Sequence, residues 1–155
     1  MYTYREITQA DLKYTYCNTI LRALPDWFGI EESIVEYCEG VKTRPFLGVF
    51  DSEEKIVGFV SLQHTSSIAS EVYVMGVLQS HHGNGIGKRV IDWCKNYARS
   101  EGKKLLLVKT LSATHPDKNY AKTRLFYEHV GFVALEELPE LWGATCPCLN
   151  MVMIL

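Results

Sequence analysis

The period of the hydrophobic positions changes several times along this chain, and each change marks an element. Tyr2–Ile7 alternates and is rich in β-formers, which predicts a first strand. From Thr8 the spacing becomes helical. Leu12, Tyr16, Ile20 and Ala23 recur on one face, the Thr8 hydroxyl is placed to cap free amides, and Asp11 follows as the acid of a capping-box-like start. Pro25 ends that helix. A shorter one is predicted over Glu31–Glu39, with two acids in its first turn and Gly40 as its stop signal.

Alternation returns at Phe46–Phe50 and Ile56–Gln63, and the polar turn Asp51-Ser52-Glu53-Glu54 joins them as an antiparallel hairpin. Glu71–Val77 is a further strand. Gly85–Ser100 carries Ile86, Val90, Cys94 and Tyr97 at helical spacing. Lys104–Thr110, Asn119–His129, Phe132–Leu135 and Cys148–Leu155 then read as strand, helix, strand and strand. The order is β-α-α-β-β-β-α-β-α-β-β, an α/β arrangement with no internal repeat, low-complexity tract or linker.

Composition narrows the class. With 155 residues, 47% of them hydrophobic, the chain supports one well-buried core, so residues 1–155 are expected to form a single domain. A formal charge of −2 with dispersed basic residues provides no stripe for a nucleic-acid backbone, so no nucleic-acid partner is expected. The five cysteines are odd in number and scattered, which argues against a disulfide framework and for a reducing cytoplasm. Met1–Glu6 lacks a basic start followed by an apolar core, and no later run is apolar enough to cross a bilayer. A soluble, unprocessed protein without a membrane partner is the expectation.

Chemistry concentrates at Val77-Leu78-Gln79-Ser80-His81-His82-Gly83-Asn84-Gly85-Ile86-Gly87-Lys88, where three alternate glycines separate a strand from a helix. Glycines let consecutive amides turn inward, and the helix start adds free N–H groups and the positive end of its dipole. A pyrophosphate fits such a cradle; a tight turn that only closes the chain is the alternative. A P-loop is excluded because Arg89 follows Lys88 and His82 takes a required glycine position. A dinucleotide fingerprint fails because Lys88 stands where its third glycine belongs. His81-His82 lacks convergent partners, so no metal site is expected, and Cys146 and Cys148 around Pro147 read as structural.

His82-Gly83-Asn84-Gly85-Ile86-Gly87 resembles the signature of the GNAT superfamily of N-acetyltransferases, with His82 in place of the usual Arg or Gln. Asn119-Tyr120-Ala121-Lys122-Thr123-Arg124-Leu125-Phe126-Tyr127-Glu128-His129-Val130-Gly131-Phe132 resembles a second signature of that family, and the element order is similar over most of the chain. The resemblance implies a GNAT-like acyl-CoA N-acyltransferase fold: a mixed, mostly antiparallel sheet flanked by helices. It also implies acetyl-CoA as cosubstrate and an amine-bearing acceptor, with a homodimer left open.

By the same resemblance, Met75, Gly76 and Val77 hold the pantetheine arm and thioester carbonyl, while His82, Gly83, Asn84, Gly85, Ile86, Gly87 and Lys88 surround the pyrophosphate. Tyr127 matches the general acid, and a phenol of ordinary pKa about 10 carries its proton at neutral pH; a core tyrosine on an amphipathic helix is the alternative. Glu71 stands where several relatives place a general base; a solvent-facing strand-end glutamate is the alternative. Asn119 either contacts the cofactor or caps its helix. Trp27 and Phe28 either pack or line the acceptor pocket. The implied activity is direct acetyl transfer to a primary amine of a small molecule or protein within a ternary complex. A noncatalytic acyl-CoA sensor is the rival.

Overall fold

The structure, a computed structural model, describes residues 1–143 and 145–155. Among them, seven strands make one open sheet in the order β1 (Thr3–Glu6), β2 (Phe46–Phe50), β3 (Ile56–His64), β4 (Ala69–Val77), β5 (Leu105–Leu111), β7 (Cys148–Ile154), β6 (Val133–Leu138). β1–β2, β2–β3, β5–β7 and β6–β7 pair antiparallel, and β4–β5 is parallel. Four helices accompany the described strands: α1 (Ala10–Arg22), α2 (Glu31–Gly40), α3 (Ile86–Ser100) and α4 (Lys118–His129). The predicted α/β class and element order are those observed.

The chain divides into two compact units, Met1–Gln63 with Tyr73–Trp93 and His64–Val72 with Cys94–Leu155. In the first, Cys17, Ile20, Leu21 and Leu24 of the α1 segment bury against Ile34, Cys38, Val41, Phe46, Phe59 and Val74. Burial of such side chains stabilises by roughly 1.5–3 kcal/mol each. In the second, Leu106, Val108, Phe132, Met151 and Met153 are buried, and the Tyr127 ring meets Phe132 edge-on at 5.6 Å. No helix among the described residues is long and apolar enough to cross a membrane.

Local details differ from the sequence reading, each for a physical reason. α1 begins at Ala10 with Gln9 as its N-cap residue and no side-chain cap, so Thr8 lies outside it. Its inward stripe is Lys13, Cys17, Ile20 and Leu21, whereas Leu12 is exposed. The Lys13 stem can occupy that apolar face because its Nζ donates to the Arg44 carbonyl at 2.7 Å. Gly40 is no stop signal: it is helical, and a short 3₁₀ turn, Val41–Thr43, continues from it. A Cβ there would collide with the Tyr73 hydroxyl, so closeness of approach requires glycine. β6 starts at Val133 and runs on to Leu138, beyond the predicted Leu135.

Candidate functional site

The parallel ladder between β4 and β5 covers only Ala69–Val72 against Leu105–Val108, although β4 runs on to Val77. Met75, Gly76 and Val77 therefore lie beyond the residues that β5 pairs. Gly76 also has a packing role, since a Cβ there would stand 2.8 Å from Ile20 Cγ2 and 3.0 Å from Leu24 Cδ1. β4 thus meets α1 without a side chain in the way.

After β4 the chain makes a 3₁₀ turn, Gln79–His81, fixed by the Leu78 amide donating to the Val57 carbonyl at 2.9 Å. His82 and Asn84 brace the loop that leads into α3. His82 Nε2 donates to the Val77 carbonyl at 2.8 Å, which assigns the ring proton to Nε2, and the Trp27 ring lies edge-on to it at 6.2 Å. Asn84 Nδ2 donates to the His81 carbonyl at 3.0 Å. The polar side chains of the loop hold the loop itself.

Gly83 and Gly85 adopt φ of +81° and +77°, conformations other residues rarely take, and a Cβ on either would meet nothing within 4 Å. The Gly85 carbonyl accepts from the Arg89 amide at 3.1 Å, so Gly85 is where α3 begins. The leading amides of a helix, here from Ile86, Gly87 and Lys88, have no partner within it. With Gly83 and Gly85 bare of side chains, this turn can cradle an anion. Lys88 is exposed and pairs with Asp92 at 3.2 Å, while Arg89 stacks over Tyr4 at 4.6 Å. Trp27 and Phe28 are half-buried and pack against the core of the first unit.

The other predicted residues belong to the second unit. Tyr127 is the one buried residue of α4, held between an ordered start and exit. At the start, the N-cap residue is Asp117, whose carboxylate accepts from the Asn119 and Tyr120 amides, so Asn119 is not the cap. At the exit, the Phe132 amide donates to the Tyr127 carbonyl at 2.9 Å. Arg124 ties α4 to the end of β5 by donating to the Leu111 and Ser112 carbonyls at 2.8 and 3.2 Å. Glu71 does not face solvent. It is buried on β4 and accepts a hydrogen bond from Lys109 of β5, forming an ion pair.

Sequence reasoning missed Lys109 and Asn150. Each is a polar interruption in an apolar strand, Leu-Leu-Leu-Val-Lys-Thr-Leu and Cys-Leu-Asn-Met-Val-Met-Ile, and that interruption was the available signal. Cys148 enters β7 as predicted and Cys146 precedes it. Burial pushes the Cys148 thiol up to about 11, with Lys109 pulling it down and Glu71 raising it. Burial likewise raises Cys17, Cys38 and Cys94. Among the described residues, no three His, Cys, Asp or Glu side chains gather as metal ligands.

The acetyltransferase (GNAT) domain family matches residues 44–134. Among curated proteins, none matches the chain in sequence. Among solved structures, a protein from Desulfovibrio desulfuricans assigned to the GNAT family superposes with a TM-score of 0.81 at 16% identity, covering 99% of each chain. An aminoglycoside 6'-N-acetyltransferase complexed with coenzyme A gives 0.75 at 19% identity, covering 98% of this chain and 96% of its own. The aminoglycoside 6'-N-acetyltransferase from Enterococcus faecium gives 0.74 at 20% identity with the same coverage, 98% and 96%. At these identities the structural likeness is one of fold.

Proposed function

Because the chain belongs to the GNAT acetyltransferase family, we propose that it transfers the acetyl group of acetyl-CoA to a primary amine by direct attack in a ternary complex. The observation that carries this reading is the turn at Gly83–Gly85, whose two left-handed glycines lead into α3 after β4 and the 3₁₀ turn. In this reading the amides from Gly83 to Lys88 hold the pyrophosphate, and the His82 side chain acts as a brace through the Val77 carbonyl. The stretch Met75–Val77, beyond the β5 ladder, offers backbone groups to the pantetheine arm and thioester carbonyl. Asn119, half-buried in the first turn of α4, adds a cofactor contact.

The thioester supplies an activated acyl carbon when bound. The nitrogen lone pair forms the new N–C bond as the C–S bond breaks. Glu71 takes the proton lost by nitrogen, and Tyr127 gives its hydroxyl proton to the departing sulfur. Lys109 pairs with Glu71 and orients its carboxyl group. A covalent cysteine route is disfavoured, because the Cys148 thiol, pushed up to about 11, keeps its proton at neutral pH. Release of free thiol from acetyl-CoA, followed across a panel of primary amines, tests the proposal. Amine-dependent release supports it, whereas binding without release by any amine points to a sensor.

A further inference from the structure

Four side chains of the second unit share one face of its sheet. Glu71 pairs in register with Leu107, and Lys109 lies two residues further along β5, on the same side. Lys109 is directly opposite Asn150, and Leu111 is opposite Cys148, so β7 presents Asn150 and Cys148 to that face. Register thus brings Glu71, Lys109, Asn150 and Cys148 of three neighbouring strands to one face.

The four are unequally satisfied. Glu71 and Lys109 hold each other. Asn150 is only 8% exposed, yet its Oδ1 has no hydrogen-bond partner among the described residues. Thr110 Oγ1 is also unpartnered, but Thr110 adjoins Lys109 on β5 and points to the opposite face. A buried carbonyl oxygen without a donor is destabilising, and an apolar residue of the same shape would avoid that loss. An acceptor atom kept in this condition on the same sheet face as the Glu71 carboxyl suits a ligand that supplies N–H groups.

We propose that Asn150 recognises the acceptor amine: its Oδ1 accepts one N–H of a primary amine while Glu71 accepts the other. This rests on the acetyltransfer reading above and narrows its substrate class. A neutral primary amine has two N–H groups and one lone pair. Directing both N–H groups to the sheet face leaves the lone pair for the thioester. As nitrogen attacks it gains positive charge, so the bond to Oδ1 strengthens in the transition state. A secondary amine has one N–H, which goes to Glu71, and Asn150 then stays unpartnered. The site therefore selects primary over N-methylated amines.

The test compares kcat/KM for a primary amine and its N-methyl analogue, with acetyl-CoA saturating, in the wild type and in Asn150→Leu and Asn150→Ala. Both variants lack the acceptor oxygen, and the second makes no packing demand. The preference for the primary amine should fall about tenfold in each, chiefly through kcat, the size expected for one hydrogen bond. Asn150→Leu should also melt higher. An unchanged preference alongside a shifted melting temperature would overturn the inference and leave Asn150 a structural residue. Absence of transfer by the wild type to any amine would instead remove the acetyltransfer reading on which the inference depends.

Discussion

Replacing Gly85 by valine separates an anion cradle from a tight turn. Gly85 has φ of +77°, and a Cβ there meets nothing within 4 Å, so the substitution creates strain but no clash. Holding a β-branched residue in that region costs on the order of 1–3 kcal/mol. At about 2–4 °C per kcal/mol for a chain of this size, the melting temperature should fall by ~2–12 °C, leaving a folded protein. Gly102 supplies a matched control: its φ is +74°, its surroundings are equally open, and it lies in the turn after α3, away from the cradle. Gly102→Val should lower the melting temperature comparably. Coenzyme A affinity distinguishes the two. In Gly85→Val the side chain enters the space the anion needs and tilts the amides, so the dissociation constant should rise by at least about tenfold, the loss of one charge-assisted hydrogen bond. In Gly102→Val it should not change. Thermal melts paired with calorimetric titration of both variants measure this directly, and equal affinities in the two would show that the glycines serve chain closure alone.

Gly76→Ala places a methyl group against Ile20 and Leu24 of the α1 segment, and overpacking should destabilise the protein by about 1–3 kcal/mol, read by denaturant unfolding. Tyr127→Phe keeps the buried ring beside Phe132 but removes the hydroxyl, so turnover should fall while coenzyme A affinity stays within error in a titration. Thiol labelling at pH 9 should reach Cys146 first among the five cysteines, the other four being buried. Cys148 should stay unlabelled, because burial raises its thiol to about 11 and leaves little thiolate at pH 9; the linked stability is full below the ordinary thiol value of about 8.5 and is lost as pH rises from there through about 11.

Elements defined by a repeating period were legible in the sequence. The hairpin of Phe46–Phe50 with Ile56–His64, and α4 from Lys118 to His129, fall within a residue of their predicted limits. What stayed hidden depended on partners distant in the chain. Nothing local distinguishes Gly40 as a close-contact glycine from Gly40 as a helix stop, because the deciding atom belongs to Tyr73. Lys13 on the buried stripe of α1 depends on a carbonyl at Arg44. The glycine turn was readable because Gly83 and Gly85 lie close together in the chain and their left-handed conformations are local. The Glu71–Lys109 pair and Asn150 were not, because three strands separated in sequence bring them to one face.

The central claim is that this chain binds an acyl-coenzyme A through the turn at Gly83–Gly85. Isothermal titration of the full chain with acetyl-CoA, repeated with the free thiol, tests it most directly. Saturable binding of both is expected, one molecule per chain, weakened in Gly85→Val. No binding of either at high micromolar concentration would contradict it.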